Sequence, residues 1–70
     1  MREEIKAMIA FIPGRHAEEL VIMAGTAESS VTTTVGTVTP DGMTLDESRL
    51  NLVKIAPQTI VEALQSVTSL

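Results

Sequence analysis

Twelve consecutive residues, Ser29 to Pro40, read SSVTTTVGTVTP and carry no charge. Five of them are Thr. β-Branched Val and Thr lose side-chain freedom in a helix and pack well on a pleated surface, so the stretch predicts a strand. Pro40-Asp41-Gly42 follows as a turn: Pro presets φ, Asp can bond its own backbone, and Gly accepts a positive φ. Met43, Thr44 and Leu45 return as a second strand, which gives a hairpin over residues 31–46. An uncharged Thr/Val strand with an open edge is a template for further strands. Something must cover it, either another strand of this chain or another subunit. On this reading Val31, Thr33, Val35 and Thr37 line one face of the pairing strand, and the chain self-associates through it.

Seventy residues are expected to make a single small domain, 1–70. A chain of this length buries only about 60% of the surface its unfolded form exposes. It has no Cys, so neither a disulfide nor a thiolate metal site can staple it. Phe11 is its one aromatic residue, which leaves the core to Ile, Leu, Val, Met and Ala. Oligomerisation is a common remedy for so small a core, and a homo-oligomer is expected. At 44% hydrophobic the composition is too apolar for a disordered chain.

Nine acidic residues against five Lys and Arg give a net charge of −4. That argues against a nucleic-acid binder, which needs a basic stripe to neutralise phosphates. No apolar run reaches the roughly 20 residues of a membrane span. Ala7 to Pro13 is the longest, and it shows no cleavage site of a secretory signal. A soluble cytoplasmic protein is the expectation.

Residues 2–12, REEIKAMIAFI, fit two elements. As a helix, Ile5, Met8, Ile9 and Ile12 form one stripe, with Glu3 and Glu4 at the positive end of the dipole. As a strand, Ala7 to Ile12 is an apolar run of the length a buried central strand uses. Pro13-Gly14 ends either one. Residues 15–24, RHAEELVIMA, read as a helix with Ala17, Leu20, Val21 and Ala24 on one face and Gly25 as its αL cap. The LVIMA run, apolar on both sides, also admits a strand. Arg49 to Ile55 reads as a strand, although Leu50 and Val53 at i, i+3 allow a helical turn. Pro57 opens a final helix, 57–67, with Ile60, Val61, Leu64 and Val67 as its apolar stripe.

The fold class is therefore α+β: a small antiparallel sheet, formed by hairpin 31–46 and a strand at about 49–55, packed by helices at about 15–24 and 57–67. A strand at residues 5–12 would make the order β-α-β-β-α with an extra hairpin arm, a half-finished ferredoxin-like sandwich lacking a last strand. A helix at 2–12 would make it α-α-β-β-β-α.

Little in the chain supports catalysis. There is one His, at residue 16, no Cys and no G-x-S-x-G elbow. His16 with Glu18 or Glu19 is too few ligands for a zinc site, so no metal and no cofactor are expected. The acid pairs Glu3-Glu4, Glu18-Glu19 and Asp46-Glu47 point apart on any regular element and read as solvated faces. The sharpest candidate site is Gly14-Arg15-His16. If residues 15–24 are helical, free backbone N–H groups and the dipole would favour an anion there. Arg15 would add a fixed donor fork and His16 a pH-sensitive donor.

Residues 14–21, GRHAEELV, are similar to a short G-R-x-A-E-E-L segment in the protease domain of membrane-bound AAA metalloproteases. The family's H-E-x-x-H motif is absent, so the resemblance implies no protease activity and supports only the helix there. The order of IKAMIAFIP, RHAEELVIMAG and VTTTVGTV resembles the opening strand-helix-strand of PII-like signalling proteins. RLNLVKI and PQTIVEALQ stand where their second half would be. That resemblance implies a trimer binding nucleotides or other small effectors between subunits. The chain is shorter than those proteins and lacks their long loop.

The functional expectation is a non-enzymatic interaction or regulatory protein that self-associates through the Thr/Val hairpin, or takes up a partner's strand by edge addition. The alternative is an oligomeric anion or nucleotide sensor, or a sequestering protein, with its site near Arg15 and His16. A minimal enzyme built on His16 is the third reading.

Overall fold

The computed structural model describes residues 6–28 and 31–68. Among them, four strands form one antiparallel sheet in sequence order, and two helices follow it. The strands are β1 (Ala7–Pro13), β2 (Leu20–Thr26), β3 (Thr32–Thr39) and β4 (Gly42–Leu45). The helices are α1 (Glu47–Val53) and α2 (Pro57–Thr68). The class is α+β, as expected, with a meander for its sheet.

Residues 7–12 take the strand alternative, and residues 2–5 of the helix alternative lie outside the described residues. β1 pairs with β2 from Ala7↔Thr26 to Pro13↔Leu20 without a break. Its side chains alternate: Ala7, Ile9 and Phe11 pack half-buried against the core, while Met8, Ala10 and Ile12 are exposed on the opposite face.

The helix expected over residues 15–24 is not formed. Gly14–Glu19 is a connecting turn with Glu18 at φ 62°, and Leu20 onward is β2. A helix would have buried one stripe of LVIMA, whereas an interior strand gives both sides of the run a use. Ile22 and Ala24 are buried in the core, and Val21 and Met23 are half-buried on the other face. Gly25 is not a cap. It is buried in β2, where a Cβ would lie 2.6 Å from the Val31 carbonyl oxygen. β1 and β2 are thus neighbours joined by a short turn. The strand-helix-strand of the ferredoxin-like alternative, and of the PII-like resemblance, is absent here.

Hairpin 31–46 is formed as expected. β3 and β4 pair from Gly36↔Leu45 to Thr39↔Gly42, which leaves Pro40-Asp41 as the turn. The Asp41 N–H donates to Thr39 Oγ1 at 3.2 Å. The β2–β3 register slips between Ile22, opposite Gly36, and Met23, opposite Thr34. Val35 is the extra residue of this bulge. Its side chain is fully buried in the core, and its carbonyl accepts from the Asp46 N–H at 2.7 Å. Gly36 sits where β4 runs closest. A Cβ there would collide with the Thr44 carbonyl oxygen and stand 2.9 Å from Leu45 Cδ2.

The strand expected at residues 49–55 is instead α1. Asp46 is its N-cap, with Oδ1 accepting from the Ser48 N–H at 3.1 Å and the Arg49 N–H at 3.3 Å. Lys54 ends it in the αL conformation at φ 60°. The Lys54 N–H donates to the Asn51 carbonyl and the Ile55 N–H to the Leu50 carbonyl, at 3.2 and 3.0 Å. This is a Schellman stop, and its usual hydrophobic contact is present as Leu50 and Ile55, both in the core. The helix prevails because both ends are capped and Leu50 alone is buried on it. The helix expected from Pro57 is present as α2, with Ile60 fully buried. Ile22, Ala24, Val35, Leu50, Ile55 and Ile60 make up the buried core. It lies on one face of the sheet, with Val38, Met43 and Leu45 packed against it from β3 and β4.

Candidate interaction edge

Gly14, Arg15 and His16 lie together in the β1–β2 turn. Arg15 and His16 are exposed. The helix N-terminus that would have presented N–H groups to an anion does not exist there. The Gly14 N–H donates to the Glu19 carbonyl at 2.8 Å and the Glu19 N–H to the His16 carbonyl at 3.1 Å. Among the described residues, no group of three or more His, Asp or Glu side chains is placed to hold a metal ion.

Val31, Thr33, Val35 and Thr37 do not share one face. The bulge at Val35 breaks the alternation on which that grouping rested. Val35 is in the core, and Thr33, opposite Ala24, faces α1. Thr37 pairs with Val21 and lies on the sheet's other face. Val31 precedes β3 and is exposed. β3 is an interior strand, with β2 on one side and β4 on the other.

Where β4 stops short, α1 takes over. Arg49 Nη1 donates to Thr33 Oγ1 at 3.3 Å and reaches the Thr34 carbonyl at 3.5 Å. The same guanidinium stands 3.5 Å from Asp46 Oδ2 through Nε. The Ser48 hydroxyl, donating to Asp46 Oδ1 at 2.7 Å, holds the Asp46 carboxyl below its usual value, and the Arg49 backbone N–H adds to this. The shallow depression between β3, β4 and α1 is lined by the paired Asp46 and Arg49 together with Thr34, Thr37, Thr44, Leu45 and Glu47.

β1 is different. It is the other edge of the sheet, seven residues long, and no residue of AMIAFIP is charged. The hydrogen bonds flanking the ladder run from Gly14 N–H to Glu19 and from Ala27 N–H to the Lys6 carbonyl. Even-numbered residues of β1 therefore turn their backbone groups toward β2, because the direction alternates along an antiparallel strand. Odd-numbered residues turn theirs outward. The N–H groups of Ala7, Ile9 and Phe11 and the carbonyls of Ala7, Ile9, Phe11 and Pro13 face away from the sheet. Among the described residues no strand pairs with them. Beside this edge, Met8 is 55% and Ile12 44% exposed.

Natural sheets blunt such an edge with charge, with Pro or with a cover. Here the one device in the strand is Pro13, at its end. The open edge expected on the Thr/Val hairpin lies instead at β1. Pro13, closing an uncharged apolar run, is the signal that could have found it, since Pro within sheets is confined to edges, strand ends and bulges.

Comparison with protein-family models, with curated proteins and with solved structures found no match to this chain.

Proposed function

We propose that this chain is a small non-enzymatic interaction protein, regulatory in character, which self-associates by backbone pairing at an open sheet edge. The observation that carries the reading is the β1 edge: three outward N–H groups, four outward carbonyls and no charge across seven residues. Strand addition draws its affinity from such main-chain groups. The small core supports the same reading, since among the described residues six make up its buried part. The site of action is the β1 edge in place of the Thr/Val hairpin. A cytoplasmic location belongs to this proposal. Among the described residues, no helix is long and apolar enough to cross a membrane. The sensor reading at Arg15 and His16 has no helix N-terminus to rest on.

Sedimentation velocity on the unaltered chain across a concentration series tests the proposal. The expected result is a mass that rises with concentration to a closed oligomer. A monomer at every concentration overturns self-association. A hydrolase activity that disappears in His16→Ala would overturn the non-enzymatic part.

A further inference from the structure

We infer that the occupant of the β1 edge is a second copy of the same strand, paired antiparallel about a two-fold axis through Ala10, so that two four-stranded sheets join into one of eight strands. The inference rests on the self-association proposed above and deepens it by naming the interface and its register.

The outward groups of β1 fit a copy of themselves. Centring the pair on Ala10 sets Ala7 opposite Pro13 of the second copy, Met8 opposite Ile12, and Ile9 opposite Phe11. All seven residues then find a partner within the strand. Ile9 and Phe11, both with outward backbone groups, exchange two hydrogen bonds, and the two-fold repeats that pair. The Ala7 N–H donates to the Pro13 carbonyl of the second copy, again twice. Every outward N–H of both strands is then satisfied. The N–H that Pro13 lacks is needed nowhere except by the terminal Ala7 carbonyl. Seven residues at about 3.4 Å each give a contact about 24 Å long.

The side chains favour this register over its neighbour. In the Ala10-centred pair, Met8 of one copy meets Ile12 of the other across a non-hydrogen-bonded site, where side chains approach closely. These are the two large apolar residues that β1 leaves exposed. A pair centred on Ile9 would use the same donors, but it would set Lys6 against Ile12. A two-fold axis perpendicular to the sheet keeps faces matched. The helices of both copies then lie on one side, and the Met8, Ala10 and Ile12 rows merge on the other. The chain carries a net charge of −4, and the joined strands contribute none of it, so like-charge repulsion does not act across the contact itself.

The absence of Cys makes the register directly readable. Residues paired at a non-hydrogen-bonded site have Cα atoms about 4.5 Å apart, within disulfide reach. Under mild oxidation, Ala10→Cys is expected to form a disulfide-linked dimer rapidly. Ile12→Cys alone, facing Met8, is expected to link far more slowly. A mixture of Met8→Cys and Ile12→Cys chains should link to each other. Equal rates for Ala10→Cys and Ile12→Cys would mean collision in place of pairing, and would overturn the register.

A charge test needs no oxidation. Ala10→Lys sets two ammonium groups face to face and is expected to abolish the dimer while leaving the circular-dichroism spectrum of the monomer unchanged. Ala10→Glu should do the same, and mixing the two should restore a dimer containing one of each. If the unaltered chain oligomerises while Ala10→Lys remains fully associated, the β1 contact is wrong and self-association stands. If the unaltered chain is monomeric throughout, both fall together.

Discussion

Replacing Leu50 by Ala, and separately Leu52 by Ala, separates the observed helix from the strand that the sequence suggested. In a strand, residues two apart share a face, so the two changes would cost the same. In α1 they stand about 200° apart around the axis. The structure accordingly leaves Leu50 1% exposed and Leu52 79% exposed. Leu→Ala at a fully buried site removes roughly three carbons at about 0.8 kcal/mol each and adds a cavity term, for a cost of about 2–5 kcal/mol. At Leu52 the same deletion should fall within about 0.5 kcal/mol of no effect. A domain of 70 residues has a total stability of about 3.5–10 kcal/mol, so the Leu50 change removes about a fifth of it or more. With a urea slope of about 1 kcal/mol per molar, the midpoint should fall by about 2 M or beyond, into a partly unfolded chain without denaturant. The assay is urea unfolding followed by far-ultraviolet circular dichroism, because the chain has neither Trp nor Tyr. Protein concentration must be held constant, since association adds to apparent stability. Equal costs at the two positions, or a Leu50 cost below about 1 kcal/mol, would refute the assignment of α1 and its packing.

Other consequences follow from single residues. Lys54→Gly should stabilise the fold by about 0.5–1 kcal/mol in the same assay, because the αL position costs a side chain about 1–2 kcal/mol and Gly gives part of that back as unfolded-state entropy; destabilisation would argue against the αL stop. Gly36→Ala forces a Cβ into the Thr44 carbonyl and should lower stability by about 1–3 kcal/mol, read as a lower thermal midpoint. Val35→Lys would place an unpaired charge in the core. It should abolish the folded circular-dichroism signal altogether, whereas a variant that stays folded and merely dissociates would restore the hairpin interface. The Asp46 carboxyl ionises below its usual value of 3.8 in the fold, so its contribution is present above that pH and lost as pH falls through the lower folded value. Asp46→Asn keeps an acceptor for the cap but not the titration, and its stability should depend less on pH across that acidic range; parallel curves for variant and parent would refute the cap as the source.

Some elements were legible from local chemistry alone. Pro40-Asp41-Gly42 announced the turn between β3 and β4, and Pro57 announced the start of α2, because each works through its own backbone geometry. The two misread segments had local signals that tertiary context outweighed or that went unused. RHAEELVIMA has early acids and a following Gly, the marks of a helix, yet its apolar run found more to bury as the interior strand β2. RLNLVKI looks strand-like by its Leu-x-Leu spacing. The telling feature stood just ahead of it: Asp46 two residues before Ser48 is an N-cap, and its side chain satisfies backbone donors that a strand would not present. Of the candidate site, the hazard of an open edge was legible and its location was not. Val35 illustrates why. There a bulge of one residue leaves Val35 on the core side with Thr33 and sends Thr37 to the opposite face, and no pattern of Thr and Val announces where a register will slip.

The sequence by itself determined that this chain would be α+β, that residues 31–46 would form a hairpin, and that the core would be small and aliphatic. These follow from side-chain shape, turn stereochemistry and composition, which act over a few residues at a time. Only the tertiary structure decided that β1 is the exposed edge, that β3 is interior, and that Ala7, Ile9 and Phe11 hold the outward N–H groups. Which strand lies at an edge depends on the pairing of all the strands. Which of its residues face outward depends on the parity of one hydrogen-bond register, and a shift of a single residue would reverse it.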